Sequence, residues 1–440
     1  MLFKLNRFEK KDYIAIFAII IFFIVNIFII NLKINGFLLR SGDTIVAEQA
    51  IWNFTHGYGF QQGSLLDESN MREHLNFVQF VYIPFYKIFP NLVTVYAVII
   101  LFYCAGALAL FQYAKSKVGK TYSLILLLAY LFNPEVLISN IDTMHVVSIA
   151  GPLMLFLLIC YEKGKYRWWL FWLFITASVS EFVYPTILML SFLSLVQKRS
   201  IKWVFPPIIA SSLMFFAANY YITLGYAKTG RIADFFKNGD FFSRFNSRRF
   251  SILENLLRPV FYITPVFSWY ILLILPTFFI IFFAIENSRI KASQHLYVFV
   301  PTILFFSIID FAGRINEEKR KILMILVIIG TFLSIFISYG FWNISPNKYS
   351  KEMKEVSLLI PENVSVSASR IVGTHLNHRR YFYLLDNLKN SDFVIINKQA
   401  SEYSDKNFHS YLDFVMNSGS YENIYSKNGI EAYKKNLVTY

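Results

Sequence analysis

Long apolar stretches separated by short basic turns run through residues 1–342, and residues 343–440 read differently. Tyr13–Leu32, Leu92–Ala114, Ile201–Leu224 and Ile322–Trp342 each approach the roughly 20 residues that cross a bilayer. Thr121–Ile138, Val146–Tyr161 and 295–312 are shorter runs of the same kind. Trp168–Val196 is long enough for two short spans meeting at Ser180-Glu181-Phe182-Val183-Tyr184-Pro185. Leu75–Pro90 is apolar and aromatic but too short to cross; with Pro84 and Pro90 it reads as an element lying in the interface. The stretch 259–285 is interrupted by Pro265 and Pro276 and reads either as one span or as a broken hairpin. The pattern predicts an all-α polytopic membrane protein of about 9–11 spans, followed by a small C-terminal α/β soluble domain over 343–440. In that domain Ser365–Ser369 and Phe393–Asn397 read as buried strands, Tyr411–Met416 as part of a helix, and Asn423–Lys427 with Gly429–Lys434 as a hairpin split at Lys-Asn-Gly.

Composition agrees. The chain is 56% hydrophobic and only 16% charged, against about 25% charged in ordinary soluble domains. Cys104 and Cys160 sit inside apolar runs and read as small hydrophobes. Lys4, Arg7, Lys10 and Lys11 precede a first apolar stretch that is too long for a signal peptide and lacks a small-residue cleavage site, so it reads as a retained span.

The net charge of +14 changes the picture through its distribution. Lys115, Lys117 and Lys120, the turn Lys163–Arg167, and Lys198, Arg199 and Lys202 fall in short turns that the positive-inside rule assigns to the inner face. The loop 34–90 then lies outside. The broken hairpin keeps Arg314, Lys319, Arg320 and Lys321 inside and sends the C-terminal domain outside. Residues 343–440 contribute only +2 of the charge. The total therefore orients spans and does not mark a nucleic-acid surface. The exception is the second large loop, 225–258, with Arg231, Lys237, Arg244, Arg248, Arg249 and Arg258: on the outer side it violates the charge rule, so it reads either as cytoplasmic or as an amphipathic segment kept outside to hold anionic groups.

Acids at a membrane boundary are costly to place and therefore informative. Asp43, in Ser41-Gly42-Asp43-Thr44 just past the first span, reads both as an acid in the first turn of a helix over Ile45–Phe54 and as a general base or metal ligand at the outer surface. Asp142 and His145, three apart in an outer turn, read either as solvated turn residues or as a second acid and its neighbour for acceptor, metal or phosphate. Glu181 sits amid apolar residues, as a functional acid or a capped helix break before Pro185. His74 opens the interfacial element. No Gly-rich phosphate loop, Cys/His metal spacing or nucleophile elbow occurs in the C-terminal domain.

The stretch Gly42-Asp43-Thr44-Ile45-Val46-Ala47-Glu48-Gln49-Ala50-Ile51-Trp52-Asn53, with Gly57, His74-Leu75-Asn76-Phe77 and Ile83–Pro90, resembles the membrane family catalogued as domain of unknown function 2079. Asn133-Pro134 with Asp142 and His145, Glu181, Ile360–Ser369 and His375–Arg380 extend the resemblance over nearly the whole chain. That family looks like a branch of the GT-C glycosyltransferases, which use polyprenyl-phosphate-linked sugars. The resemblance implies Asp43 as the acid of the first extracytoplasmic loop and Asp142 as a second acid. No Asp-x-Asp or Asp-Glu pair stands at position 43, and Ser180 replaces the basic residue that commonly precedes the acid of the later turn. The expectation is a multi-pass cell-membrane protein that transfers a sugar from a polyprenyl-phosphate donor to a glycan, lipid or protein acceptor. Asp43 is the expected base, Asp142, His145, Glu181 and His74 the expected second acid, acceptor or metal site, and Arg231, Arg244, Arg248 and Arg249 the expected phosphate grip. The cofactor is left open, with a divalent cation compatible. The alternatives are a transporter or lipid flippase, or a non-catalytic membrane protein.

Overall fold

The structure, a computed structural model, describes residues 10–39, 42–62, 68–69, 71, 75–141, 145–225, 257–258, 267–279, 298–337, 344–385, 391–398, 415 and 419–436. Helix α1 (Lys10–Asn35) leads to α2 (Gly42–Thr55), a two-residue pair β1 (Gln61–Gln62) and β2 (Glu68–Ser69), a 3-10 turn Phe77–Val81, and α3 (Ile83–Ile88). The bundle continues with α4 (Leu92–Val118), α5 (Lys120–Leu131), α6 (Pro134–Ile141), α7 (Ala150–Glu162), α8 (Tyr166–Ala177), α9 (Tyr184–Val196), α10 (Phe205–Gly225), α11 (Leu275–Phe279), α12 (Val300–Arg314) and α13 (Glu317–Ile337). Among the described residues three helices are individually long and apolar enough to cross a membrane: Asp12–Asn35, Leu92–Val118 and Ile201–Tyr220. The helices α5 and α6 form a fourth candidate, bent by 50° at the Asn133-Pro134 break, where Asn133 Oδ1 accepts from Glu135 N. Proline stops the first helix and is tolerated at the start of the next, where its missing N–H would have no partner.

Two ends of the bundle are distinguishable by their charges. At one, Lys115 Nζ contacts the buried Asp12 at 2.6 Å, Lys117 pairs with Glu162 at 2.8 Å, and Arg199 Nη2 lies 3.8 Å from Glu162. Tyr270 also donates to Glu162, Tyr122 to Glu317, and Gly313 packs beside Lys117. The basic turn after α12 therefore lies at the same end of the bundle as the turns at 115–120 and 163–167. At the other end, Asn347 N donates to Gly36 O at 2.8 Å, which brings the start of the C-terminal unit back to the end of α1.

Between α1 and α2 on one side and α4 on the other, the short element expected at the interface is a 3-10 turn followed by α3. Phe77, Phe80, Phe85, Ile88 and Phe89 are exposed, while Val78, Tyr82 and Tyr86 are buried. Outward aromatics on a short element suit the headgroup level. The expected break in Trp168–Val196 is present: α8 ends at Ala177, a 3-10 turn spans Glu181–Val183, and α9 begins at Tyr184 with Pro185 in its first turn.

The C-terminal unit adds α14 (Ser350–Leu359), β3 (Val366–Ala368), α15 (Arg370–Gly373), β4 (Phe382–Leu384), β5 (Phe393–Asn397), β6 (Tyr421–Lys427) and β7 (Ile430–Lys435). Its sheet has the order β4-β3-β5-β7-β6, with β3 parallel to both neighbours and β5, β7 and β6 antiparallel. β3, β5 and the hairpin fall where the apolar runs predict them. β4 is a further strand, three residues long and paired on one edge only, too short for a pattern of its own. Of the expected helix Tyr411–Met416, only Val415 is described, and it is buried.

Candidate functional site

Helix α2 is buried along most of its length, its polar Thr44, Glu48, Gln49 and Asn53 included. Ala47 and Ile51 join the core of the helical bundle, whereas Ile45 and Val46 join the core of the C-terminal unit with Met353, Val356, Phe382 and Leu384. Its N-terminal turn carries its exposed residue. There Asp43 projects with 60% of its side chain exposed, and its Oδ2 lies 3.8 Å from Nε2 of His145, which is 12% exposed. His145 is held in extended backbone immediately before the 3-10 turn Val146–Ile149, its carbonyl accepting from Ser148 N at 2.9 Å. Tyr82 O–H donates to Val146 O at 3.0 Å and ties that turn to the interfacial element. Two sequence-expected site residues, separated by about a hundred positions in the chain, are thus brought to ion-pair distance.

Arg370, at the start of α15, lies against the same helix end: a Cβ at Gly42 would stand 3.7 Å from its Nε. A guanidinium beside the partial positive charge of a helix N-terminus, next to an exposed carboxylate and an imidazole, is a setting for an anionic group and a proton acceptor together.

Glu181 opens the turn before α9. Ser180 Oγ donates to Glu181 Oε2 at 3.3 Å and accepts from Phe182 N, so the capped-break reading describes its local geometry. The turn packs on α8, α9 and α10. Tyr184, three residues on, shares a small core with Leu75, which places the turn beside the first loop. His74, Asp142, Arg231, Arg244, Arg248 and Arg249 lie outside the described residues. Arg258, at the end of the basic run, is described and buried. Among the described residues no three His, Cys, Asp or Glu side chains gather as a metal site.

A second polar arrangement escapes the sequence reading. Glu48, fully buried on α2, accepts at Oε1 from Tyr86 O–H (3.0 Å) and from His378 Nε2 (2.8 Å), and at Oε2 from Asn377 Nδ2 (2.9 Å). The next residue, Gln49, donates from Nε2 to the carbonyls of Arg379, Arg380 and Phe382 at 3.2 to 3.4 Å. Burial alone would push the His378 imidazole pKa down, but the Glu48 charge and hydrogen bond outweigh it and hold it above the ordinary value. His375 stacks on Phe37 at 4.0 Å with its Nε2 at 3.0 Å from Ile34 O, and burial lowers its pKa. The buried Arg379 is lowered to about 10 by desolvation and donates to the carbonyls of Leu376, Pro361 and Val364, which fixes the turn. The available signal was the dense polar run His375-Leu376-Asn377-His378-Arg379-Arg380, but its partners lie some 330 positions earlier.

Residues 44–253 match the family model described as "Predicted membrane protein (DUF2079)". A comparison with curated proteins gives no match. Among solved structures, ArnT from Cupriavidus metallidurans bound to undecaprenyl phosphate is similar with a TM-score of 0.59 at 9% identity, covering 96% of this chain and 98% of that one. Its apo state gives a TM-score of 0.59 at 9% identity, covering 94% and 97%. The chain is a multi-pass membrane protein with an ArnT-like fold.

Proposed function

We propose that this protein is a membrane glycosyltransferase that moves a sugar from a polyprenyl-phosphate carrier to an acceptor hydroxyl at the outer membrane face. The observation that carries the reading is the Asp43–His145 pair at the open end of α2, on a fold shared with ArnT, one structure of which is bound to undecaprenyl phosphate.

The chemistry needs a base and a charge clamp. The acceptor oxygen forms a bond to the anomeric carbon while the bond from that carbon to the phosphate oxygen breaks, and the phosphate leaves with the electron pair. Asp43 takes the acceptor proton, with its carboxylate exposed where an acceptor can reach it. His145 orients that carboxylate. Arg370 and the dipole of α2, together with Arg231, Arg244, Arg248 and Arg249 of the basic loop, stabilise the charge that develops on the leaving phosphate. Asp142 and Glu181 are assigned to the acceptor side, and His74 to the interfacial rim. In this arrangement the C-terminal unit lies outside the membrane and closes one wall of the site.

Asp43→Asn removes the base while keeping the shape of the side chain. Transfer of a labelled lipid-linked sugar should fall by about two to four orders of magnitude, with folding and membrane insertion retained; unchanged transfer would sink the assignment. A transport reading rests on Glu135, buried just past the 50° break between α5 and α6, where an ionisable group inside a span marks a pathway. Sugar transfer by the purified protein separates the two.

A further inference from the structure

The turn at the seam between α2 and the C-terminal unit alternates in direction. Arg379 points inward to its carbonyls. Its two neighbours turn the other way, towards the first loop. His378 reaches Glu48 and Tyr86, the latter through a hydroxyl 3.0 Å from Nε2. Arg380 reaches Tyr58: its guanidinium carbon lies 4.7 Å from the Tyr58 ring centroid and 4.9 Å from that of Tyr381. Arg380, Tyr58 and Tyr381 are all exposed.

Two aromatic faces hold a guanidinium by cation–π attraction without consuming its N–H donors, which lie in the plane of the group. Among the described residues Arg380 has no carboxylate partner. His378 is 40% exposed; its Nε2 is occupied by Glu48, and its Nδ1 makes no hydrogen bond to any described residue. A carboxylate that holds one ring nitrogen leaves the other able to donate when the ring is protonated. The result is two cationic donors, two residues apart, each held in place by groups that leave a donor edge free.

The elements around them set the level at which a ligand would be met. Tyr86 lies on α3, whose exposed residues Phe85, Ile88 and the following Phe89 suit the membrane interface. Glu48 lies five residues past Asp43 on α2, about 7.5 Å along the axis. The donors therefore sit beside the Asp43–His145 pair and do not coincide with it.

We propose that His378 and Arg380 form an anion subsite for a phosphate group, carried either by a phospholipid headgroup of the surrounding leaflet or by a soluble phosphorylated ligand. The subsite stands independently of the transferase reading, since it needs no reaction at Asp43.

The test uses the full chain in nanodiscs. With phosphatidylcholine alone, titration with inorganic phosphate should saturate in the wild type. Affinity should fall about tenfold in both Arg380→Gln and His378→Gln, since each loses one charge-assisted donor. Wild-type affinity should weaken as pH rises through the raised imidazole pKa and the ring loses its proton, whereas His378→Gln should show a flatter profile. Nanodiscs containing phosphatidylglycerol distinguish the sources. If the lipid competes phosphate away in the wild type but not in Arg380→Gln, the headgroup is the ligand; if phosphate binds equally well there, the ligand is soluble. Absence of saturable phosphate binding in both lipids with no competition, or wild-type affinity in both variants, overturns the proposal. So does a change confined to the stability of the seam, which would make Arg380 a strut between Tyr58 and Tyr381.

Discussion

Replacing Glu48 with alanine should release the C-terminal unit from α2 without unfolding the helical bundle. The carboxylate is fully buried and receives three donors from two other segments: Tyr86 from the interfacial helix, Asn377 and His378 from the C-terminal unit. A buried donor left without its acceptor costs about 1–3 kcal/mol. Tyr86 and Asn377 are buried and carry that penalty, whereas His378, being 40% exposed, can turn to water and is discounted. A total near 3 kcal/mol follows, at the lower edge of the roughly 3–5 kcal/mol for breaking a buried charged pair. At about 1.4 kcal/mol per tenfold, opening of the seam should become roughly a hundredfold more frequent. Hydrogen–deuterium exchange reads this directly in the amides of 376–384. Protection there should fall by about two orders of magnitude, while α4 and α7 keep theirs. Glu48→Gln, which retains one acceptor oxygen, should fall in between. Unchanged protection in 376–384, or equal loss across the bundle, would refute the view that this carboxylate holds the two units together.

Further outcomes follow from the same geometry. Because the His378 pKa is raised in the folded protein, its contribution to the seam is complete below the ordinary imidazole value and is lost as pH rises through the raised one; protection of 376–384 should decline as pH rises above the ordinary imidazole value, with a flatter profile in His378→Gln. Gly373→Ala would place a methyl group 2.7 Å from Phe382 Cζ and 3.1 Å from Ile45 Cδ1, and should cost about 1–3 kcal/mol by overpacking, read as a lower melting temperature of the C-terminal transition. Asp12→Asn, at the basic end, removes the partner that Lys115 contacts through both carboxylate oxygens at 2.6 and 2.8 Å; the packing of α1 on α4 should weaken, with faster exchange in α1 and no change at the seam.

The membrane architecture was readable because a bilayer permits few solutions: apolar runs of sufficient length, proline at the breaks and basic turns constrain the layout of the helices. The break at Ser180–Pro185 and the non-spanning element at 75–90 follow from such local signals, whereas the bend at Asn133-Pro134 falls inside a run that reads as one plain span, Thr121–Ile138. The meeting of Asp43 with His145 was legible only as a grouping of acids and a histidine on one side. The distance between them is set by the packing of α2 and of the 3-10 turn after His145, and no periodicity encodes it. The seam was not legible at all. In the sequence Glu48 is one more acid of a polar loop, and His378 one residue of a basic run. Their pairing depends on a C-terminal unit folding back onto α2, and β4, the nearest strand, is too short to announce itself. Polar contacts between segments this distant carry no pattern in either segment.

The central claim, sugar transfer with Asp43 as base, is tested most directly by reconstituting the purified protein in liposomes with a pool of polyprenyl-phosphate sugars and an acceptor glycan or lipid fraction, then measuring by mass spectrometry the sugar-free polyprenyl phosphate formed. Accumulation of carrier and glycosylated acceptor with the wild type, but not with Asp43→Asn, is the predicted result. Equal turnover by both proteins, or movement of intact lipid-linked sugar across the bilayer without cleavage, would contradict it.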